Sequence, residues 1–225
     1  MGLKLFVLEK SMKSLKFIQD PLQKPGCLNP PNKLLQKNNY IINKTRFSKR
    51  YFSFLTFRDY LKSFITHRKF IFDTMKGSRL SNEFKEKIML AVTAVNGCVY
   101  CNYFHSKVAL ESGLDPESIR QISCLDFEEV SVDEAPALAF AQHYAESHEH
   151  PSSKSLHAII KFYGVDKAQD ILNCCQMITF GNLFGNTISA FESRMNGIVP
   201  PNNSFWFEFW VYMFFGIFTK FTNWD

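Results

Sequence analysis

From residue 51 onward the spacing of apolar and polar positions is helical. Apolar residues recur every three or four positions through 57–75, and Gly77 closes that run. Ser81-Asn82 supplies capping side chains for a second helix over 83–95, which Asn96-Gly97 ends. A third helix is predicted to begin at about Cys98 and to stop at Gly113. Asp115-Pro116 opens a short fourth, with Pro116 in the first turn, where a missing N–H costs nothing. Segments 133–147, 153–163 and 166–195 supply three more. No stretch alternates with period two between turn signals, so no sheet is expected. The chain reads as all-α. Within it, Ile88 to Val95 is apolar nearly all round, the mark of a helix buried on every side.

The two ends break the pattern and divide the chain into three regions. Residues 1–50 hold eleven Lys and Arg against Glu9 and Asp20, with Pro21, Pro25, Pro30 and Pro31 and no sustained periodicity. They are expected to form a basic, disordered extension ahead of a helical domain over 51–200. Arg50-Tyr51-Phe52-Ser53 has the look of an organellar processing site, which makes a transit peptide the alternative, although such peptides favour Arg over this segment's Lys. Region 201–225 contains 205-FWFEFWVYMFFGIFTKF-221, where Glu208 and Lys220 bracket eleven uncharged residues. A spanning helix needs about 20. Trp206, Trp210 and Trp224 suit a membrane interface, and contact with another subunit is the competing expectation for so apolar a surface.

The net charge of +5 arises from the first region, and the remainder is slightly acidic. Basic residues in an Asn- and Lys-rich lead, with no recognition motif, argue against a nucleic-acid partner, and none is expected. Six cysteines do not form a secreted disulfide framework at this length. Cys27, Cys124 and the pair Cys174-Cys175 are read as small buried hydrophobes in a reducing compartment.

The remaining two carry the chemistry. In 96-NGCVYCNYFHSKVALESG-113, Cys98, Cys101 and His105 fall within about 60° of one another on a helix. The sulfurs stand one turn apart, close enough for a redox disulfide Cys98–Cys101, and His105 is within reach of Cys101. Cys98 follows Gly97 at the helix amino end, where unpaired N–H groups and the dipole favour a thiolate. A thiolate attacks peroxides and disulfides, and a second thiol one turn away resolves the product before over-oxidation. A structural zinc at Cys98, Cys101 and His105 is the rival reading. Its fourth ligand would come from Cys174, Cys175, His143, His148, His150 or His157, none of which has the ordered spacing of a second ligand pair. Haem attachment needs His where Asn102 stands, and a thioredoxin motif needs a βαβ unit. A third reading keeps the fold as a membrane-associated interaction protein with inert thiols.

The order Glu86, Cys98, Cys101, His105, written E-x(11)-C-x-x-C-x-x-x-H, resembles the alkylhydroperoxidase AhpD-like family of the carboxymuconolactone decarboxylase superfamily. The surrounding 88-IMLAVTAVNGCVYCNYFHSKVALESGL-114 is similar too, and the resemblance extends over about 80–197. It implies an AhpD-like helical bundle assembled as a homo-oligomer, trimer or hexamer. It also implies a thiol-dependent antioxidant enzyme without cofactor or metal, reducing hydroperoxides directly or a partner disulfide, with a thiol reductant or a peroxiredoxin-like protein as partner. By position, His105 activates Cys101, Glu86 completes a proton relay, and Cys98 forms mixed disulfides. Helix-end electrostatics favours Cys98 as the more acidic thiol, so the order of attack stays open. Tyr100 stands where the best-known branch carries a further histidine, and the true decarboxylases generally lack the CxxC. The compartment is expected to be cytoplasmic, or mitochondrial or plastid if the lead is a transit peptide. Finally, Gly181-x-x-x-Gly185 is read as close helix packing within the core, with Asn182 and Asn186 beside it at i, i+4 and assigned no role.

Overall fold

The structure, a computed structural model, describes residues 49–77, 79–199 and 204–216. The lead expected to be disordered therefore lies almost wholly outside the described residues, as do Cys27 and Trp224. Among the described residues seven helices form the body: α1 Phe54–Lys76, α2 Asn82–Asn96, α3 Val99–Glu111, α4 Pro116–Ser123, α5 Ala135–Glu146, α6 Ser153–Tyr163 and α7 Val165–Met195. An eighth, α8 Phe205–Val211, continues as one π-helical turn, Tyr212–Gly216. No strand occurs among the described residues. The expected all-α class is the observed one.

Local sequence explains the boundaries. Ser53 caps α1 in a reciprocal box with Thr56, Ser81 accepts from the Phe84 N–H at the start of α2, and Asp115 accepts from the Glu117 and Ser118 N–H groups at the start of α4. Gly97 ends α2 in the left-handed conformation, φ 66°, a geometry glycine adopts without steric cost.

The centre of the fold is α2, packed against α3, α4, α5 and α7. Ile88, Leu90, Ala91 and Val92 are completely buried, as its unbroken apolar run predicts. Opposite it runs the 31-residue α7, against which α1 lies along one side. Phe57 and Phe64 of α1 stack on Phe180 of α7, with ring centroids 6.3 and 5.3 Å apart. Farther along, Thr74 Oγ1 donates to Asp170 Oδ1 at 2.7 Å and accepts from Asn173 Nδ2 at 2.9 Å. Arg79 closes the cluster with Nε and Nη2 on the two Asp170 oxygens, at 2.5 and 2.9 Å.

The residues resembling a processing site are built into this body. Phe52 is completely buried and donates its N–H to Thr187 Oγ1 at 3.0 Å, while Arg50 pairs with Glu149 through two hydrogen bonds of 2.5 and 3.1 Å. The aromatic tail also folds back. Glu208 of α8 is fully buried and receives Arg194 Nε and Nη2 from the end of α7 at 2.7 and 3.0 Å. Phe207 meets Phe54 and Phe57 of α1. Trp206 and Trp210 remain on the outer side. Among the described residues no helix is long and apolar enough to cross a membrane.

The Asp170 cluster gives the fold a pH signature. Burial alone would push its carboxyl up, but hydrogen bonds from Arg79 and Thr74 outweigh burial and hold it below its ordinary value. A depressed carboxylate contributes stability above its unfolded pKa, near 3.9, and loses that contribution as pH falls through the folded value. Asp170→Asn is expected to lower stability at pH 7 by about 1.5–3 kcal/mol, the scale of a hydrogen bond to a charged group. Urea denaturation should show the gap from the parent protein narrowing below about pH 4; a gap independent of pH would contradict the assignment.

Candidate active site

Two consecutive helices and the bend between them build the site. Because Gly97 turns the chain so sharply, α3 doubles back along α2. Asn186 of α7 fixes the bend, its Nδ2 donating to Asn96 O at 2.9 Å and to Arg50 O at 3.1 Å. Cys98 then becomes the N-cap of α3 instead of its first helical residue, with φ −81° and ψ 105°. Its sulfur accepts the Cys101 N–H at 3.2 Å, the bond an N-cap oxygen makes in an ordinary helix.

The doubling back carries Glu86, in the second turn of α2, to the middle of α3. Glu86 Oε2 lies 2.7 Å from His105 Nδ1, and both side chains are nearly buried. With Glu86 ionised, Nδ1–H donates to it, which leaves Nε2 as the acceptor of the ring. His105 stands one turn beyond Cys101 on the same face of α3. Phe104 sets its ring edge-on to the imidazole, 5.2 Å between centroids, while remaining exposed. Cys98 and Cys101 are joined as a disulfide with Cα atoms 5.3 Å apart. The two sulfurs are not equivalent: Cys98 is completely buried and Cys101 only partly. All four residues named from sequence are thus gathered on α2 and α3.

The other wall is α7, and here sequence reasoning missed participants. Gly185 faces the disulfide so closely that an added Cβ would stand 2.6 Å from Cys98 Sγ and 3.3 Å from Cys101 Sγ. Asn182 Oδ1 accepts from Thr93 Oγ1 at 3.1 Å, so Asn182 and Asn186 form a polar seam between α7 and α2. Five buried atoms, Asn96 Nδ2, Ser106 Oγ, Thr179 Oγ1, Asn182 Nδ2 and Asn186 Oδ1, have no hydrogen-bond partner among the described residues. Tyr100, inside the CxxC, donates its hydroxyl to Glu192 of α7. Burial, followed by the Glu192 carboxylate, pushes its phenol well above the usual range. The spacing of the α7 asparagines gave a hint of the seam. The glycine's role had no signal beyond Gly-x-x-x-Gly.

Residues 59–126 match the carboxymuconolactone decarboxylase family. This is the superfamily that the AhpD-like resemblance named, and the matched stretch contains Glu86, Cys98, Cys101 and His105. It begins earlier and ends earlier than the resemblance over 80–197 and leaves out α7. No curated protein and no solved structure matches the chain.

Around this matched segment the other cysteines sort differently from expectation. Cys174 and Cys175 are free and buried, as read from sequence. Cys124 is not a buried hydrophobe: it is half-buried and disulfide-bonded. Its position after the last turn of α4, where the chain reaches the surface, is the physical reason. For the zinc alternative, no group of three or more His, Cys, Asp or Glu is arranged to hold a metal among the described residues.

Thiol reactivity should follow this geography. Burial pushes the Cys174 thiol up to about 12 and Cys175 well above its ordinary value. After mild reduction of the folded protein, Cys101 should be alkylated first and Cys98 more slowly. Cys174 and Cys175 should react roughly a thousandfold more slowly than an ordinary exposed thiol, because so little of each is thiolate. Peptide mass mapping over a time course measures the order.

Proposed function

We propose that this protein is a thiol-dependent oxidoreductase that reduces a hydroperoxide, or the disulfide of a partner protein, by oxidising its own Cys98 and Cys101. The observation that carries this reading is the Glu86–His105 hydrogen bond held in the core beside a CxxC disulfide. A carboxylate fixing one nitrogen of an imidazole, so that the other is presented one turn from a partly exposed sulfur, is the arrangement of a general acid–base relay. The match to the carboxymuconolactone decarboxylase family supports it at the level of fold and motif. Unpartnered polar groups kept in the core, two of them on the asparagines that flank Gly185, also support a working site over plain packing.

In the proposed reaction, His105 Nε2 takes the proton of the Cys101 thiol. The thiolate attacks the outer oxygen of ROOH, the O–O bond breaks, and the alkoxide leaves as ROH with the proton from His105. Cys101 becomes a sulfenic acid. The Cys98 thiol attacks that sulfur, its proton leaves with the hydroxyl as water, and the disulfide forms. The balance is ROOH plus two thiols to ROH, water and one disulfide. A thiol reductant, small or on a peroxiredoxin-like partner, restores the dithiol by exchange. Burial of Cys98 favours Cys101 as the first nucleophile, in line with the activation of Cys101 through His105 that the family implies. Helix-end electrostatics instead acts through Cys98 Sγ accepting the Cys101 N–H. Exposed apolar side chains on α1 (Ile65, Phe70, Phe72), on α8 (Trp206, Trp210) and on the π-helical turn after it (Phe214) support the homo-oligomer that the family implies.

The relay is tested by oxidising the prereduced protein with an organic hydroperoxide and titrating the thiols against time. His105→Ala should slow oxidation by about 10²–10⁴, the usual contribution of a positioned proton-transfer group. Glu86→Gln should cause a smaller loss with the helical content intact. Unchanged rates in both variants would remove the relay, and thiols that never oxidise in the parent protein would remove the function.

A further inference from the structure

The two glycines of Gly181-x-x-x-Gly185 look interchangeable in the sequence, but the structure separates them. Among the described residues, a Cβ at 181 would meet nothing within 4 Å. A Cβ at 185 would lie 2.6 Å from Cys98 Sγ, 3.3 Å from Cys101 Sγ and 3.8 Å from Tyr100 Cβ. Carbon and sulfur do not tolerate 2.6 Å without a bond, since even carbon pairs settle at about 3.5–4.0 Å. Both glycines sit inside α7, where glycine is roughly 1 kcal/mol less favourable than alanine. At 185 that sacrifice coincides with the sulfurs; at 181 no neighbour requires it.

Which redox state a methyl group would oppose follows from how each sulfur is held. In the disulfide, Cys98 Sγ is fixed by its own Cβ and by Cys101 Sγ, with the two Cα atoms 5.3 Å apart on a capped helix turn. Its alternatives are restricted to those that keep the bond to Cys101 Sγ. In the dithiol, the same atom sits at the end of one rotatable bond with staggered alternatives and can swing away. Added volume at 185 therefore penalises the disulfide more than the dithiol.

We propose that Gly185 is a positioning residue of the redox couple: the space left by its missing side chain is where the Cys98–Cys101 disulfide sits, and this clearance sets how far the couple lies toward the oxidised form. The proposal rests on the thiol-oxidoreductase reading above and adds to it a residue of α7, outside the matched family segment. It also gives a reason for the close approach of α7 to the amino end of α3 at this point.

The test equilibrates the full chain and two variants, Gly185→Ala and Gly181→Ala, in dithiothreitol redox buffers. The disulfide fraction is read by alkylation and mass. Gly185→Ala is expected to shift the midpoint at least tenfold toward dithiol, about 30 mV for a two-electron couple. Gly181→Ala, which changes helix propensity equally, should leave the midpoint in place. Equal midpoints for Gly185→Ala and the parent protein, a shift toward disulfide, or an equal shift in Gly181→Ala would each overturn the proposal while leaving the function standing. A parent protein with no reversible couple would overturn the functional reading itself. Should Gly185→Ala prove too unstable to titrate, the same substitution is made in a Cys98→Ala chain, where the 2.6 Å contact no longer exists. Recovery of folding there supports the sulfur clash, and equal instability there overturns it.

Discussion

A carboxylate and an imidazole 2.7 Å apart in a helical core impose the strictest condition on this fold. Either group buried without the other would leave a polar side chain uncompensated, at a cost of several kcal/mol if it were charged. The chain meets the condition through a left-handed glycine at 97, which lets α3 retrace α2 until His105 stands against Glu86. The same bend leaves Cys98 at the helix cap and Cys101 one turn inside. Proton relay, sulfur spacing and helix-end position are thus three consequences of one reversal of direction.

That reversal is held from outside by α7. Asn186 satisfies the carbonyls of Asn96 and Arg50, Asn182 accepts from Thr93, and Gly185 leaves the sulfurs room. A polar seam along a buried helix is a poor way to gain stability, since unpartnered groups cost about 1–3 kcal/mol each. Asn182 and Asn186, which carry two of those groups, flank the Gly185 that faces the disulfide, and this links part of the expense to the site. Arg50 enters the same arrangement through its carbonyl, while its side chain binds Glu149, so the strand of chain leading into α1 belongs to the architecture around the CxxC.

The aromatic tail is tied down by charge as much as by rings. Glu208 is buried against the Arg194 guanidinium, and the rings of Phe205, Phe209 and Tyr212 gather on Phe191. One side of α8 is therefore committed to the body, and the tryptophans face away from it. Tyr100 joins this end of α7 to the motif through Glu192, so a side chain between the two redox cysteines reports on packing near the tail.

Much of this was legible in the residues. Period and caps foretold the start of every helix of the body, and the end of each except α4, within about three residues, because Ser53, Ser81, Asp115 and Gly97 act through local geometry that neighbouring sequence supplies. The spacing of Cys98, Cys101 and His105 placed them on one face for the same reason. What no local rule could supply was the approach of residues far apart in the chain: the contact of Gly185 with the sulfurs, the pairing of Glu208 with Arg194, and the disulfide state of half-buried Cys124. Periodicity determines which faces are apolar and where helices stop. Which glycine meets a sulfur, and which carboxylate meets an arginine, depends on how whole helices settle against one another, and that is decided only when the core closes.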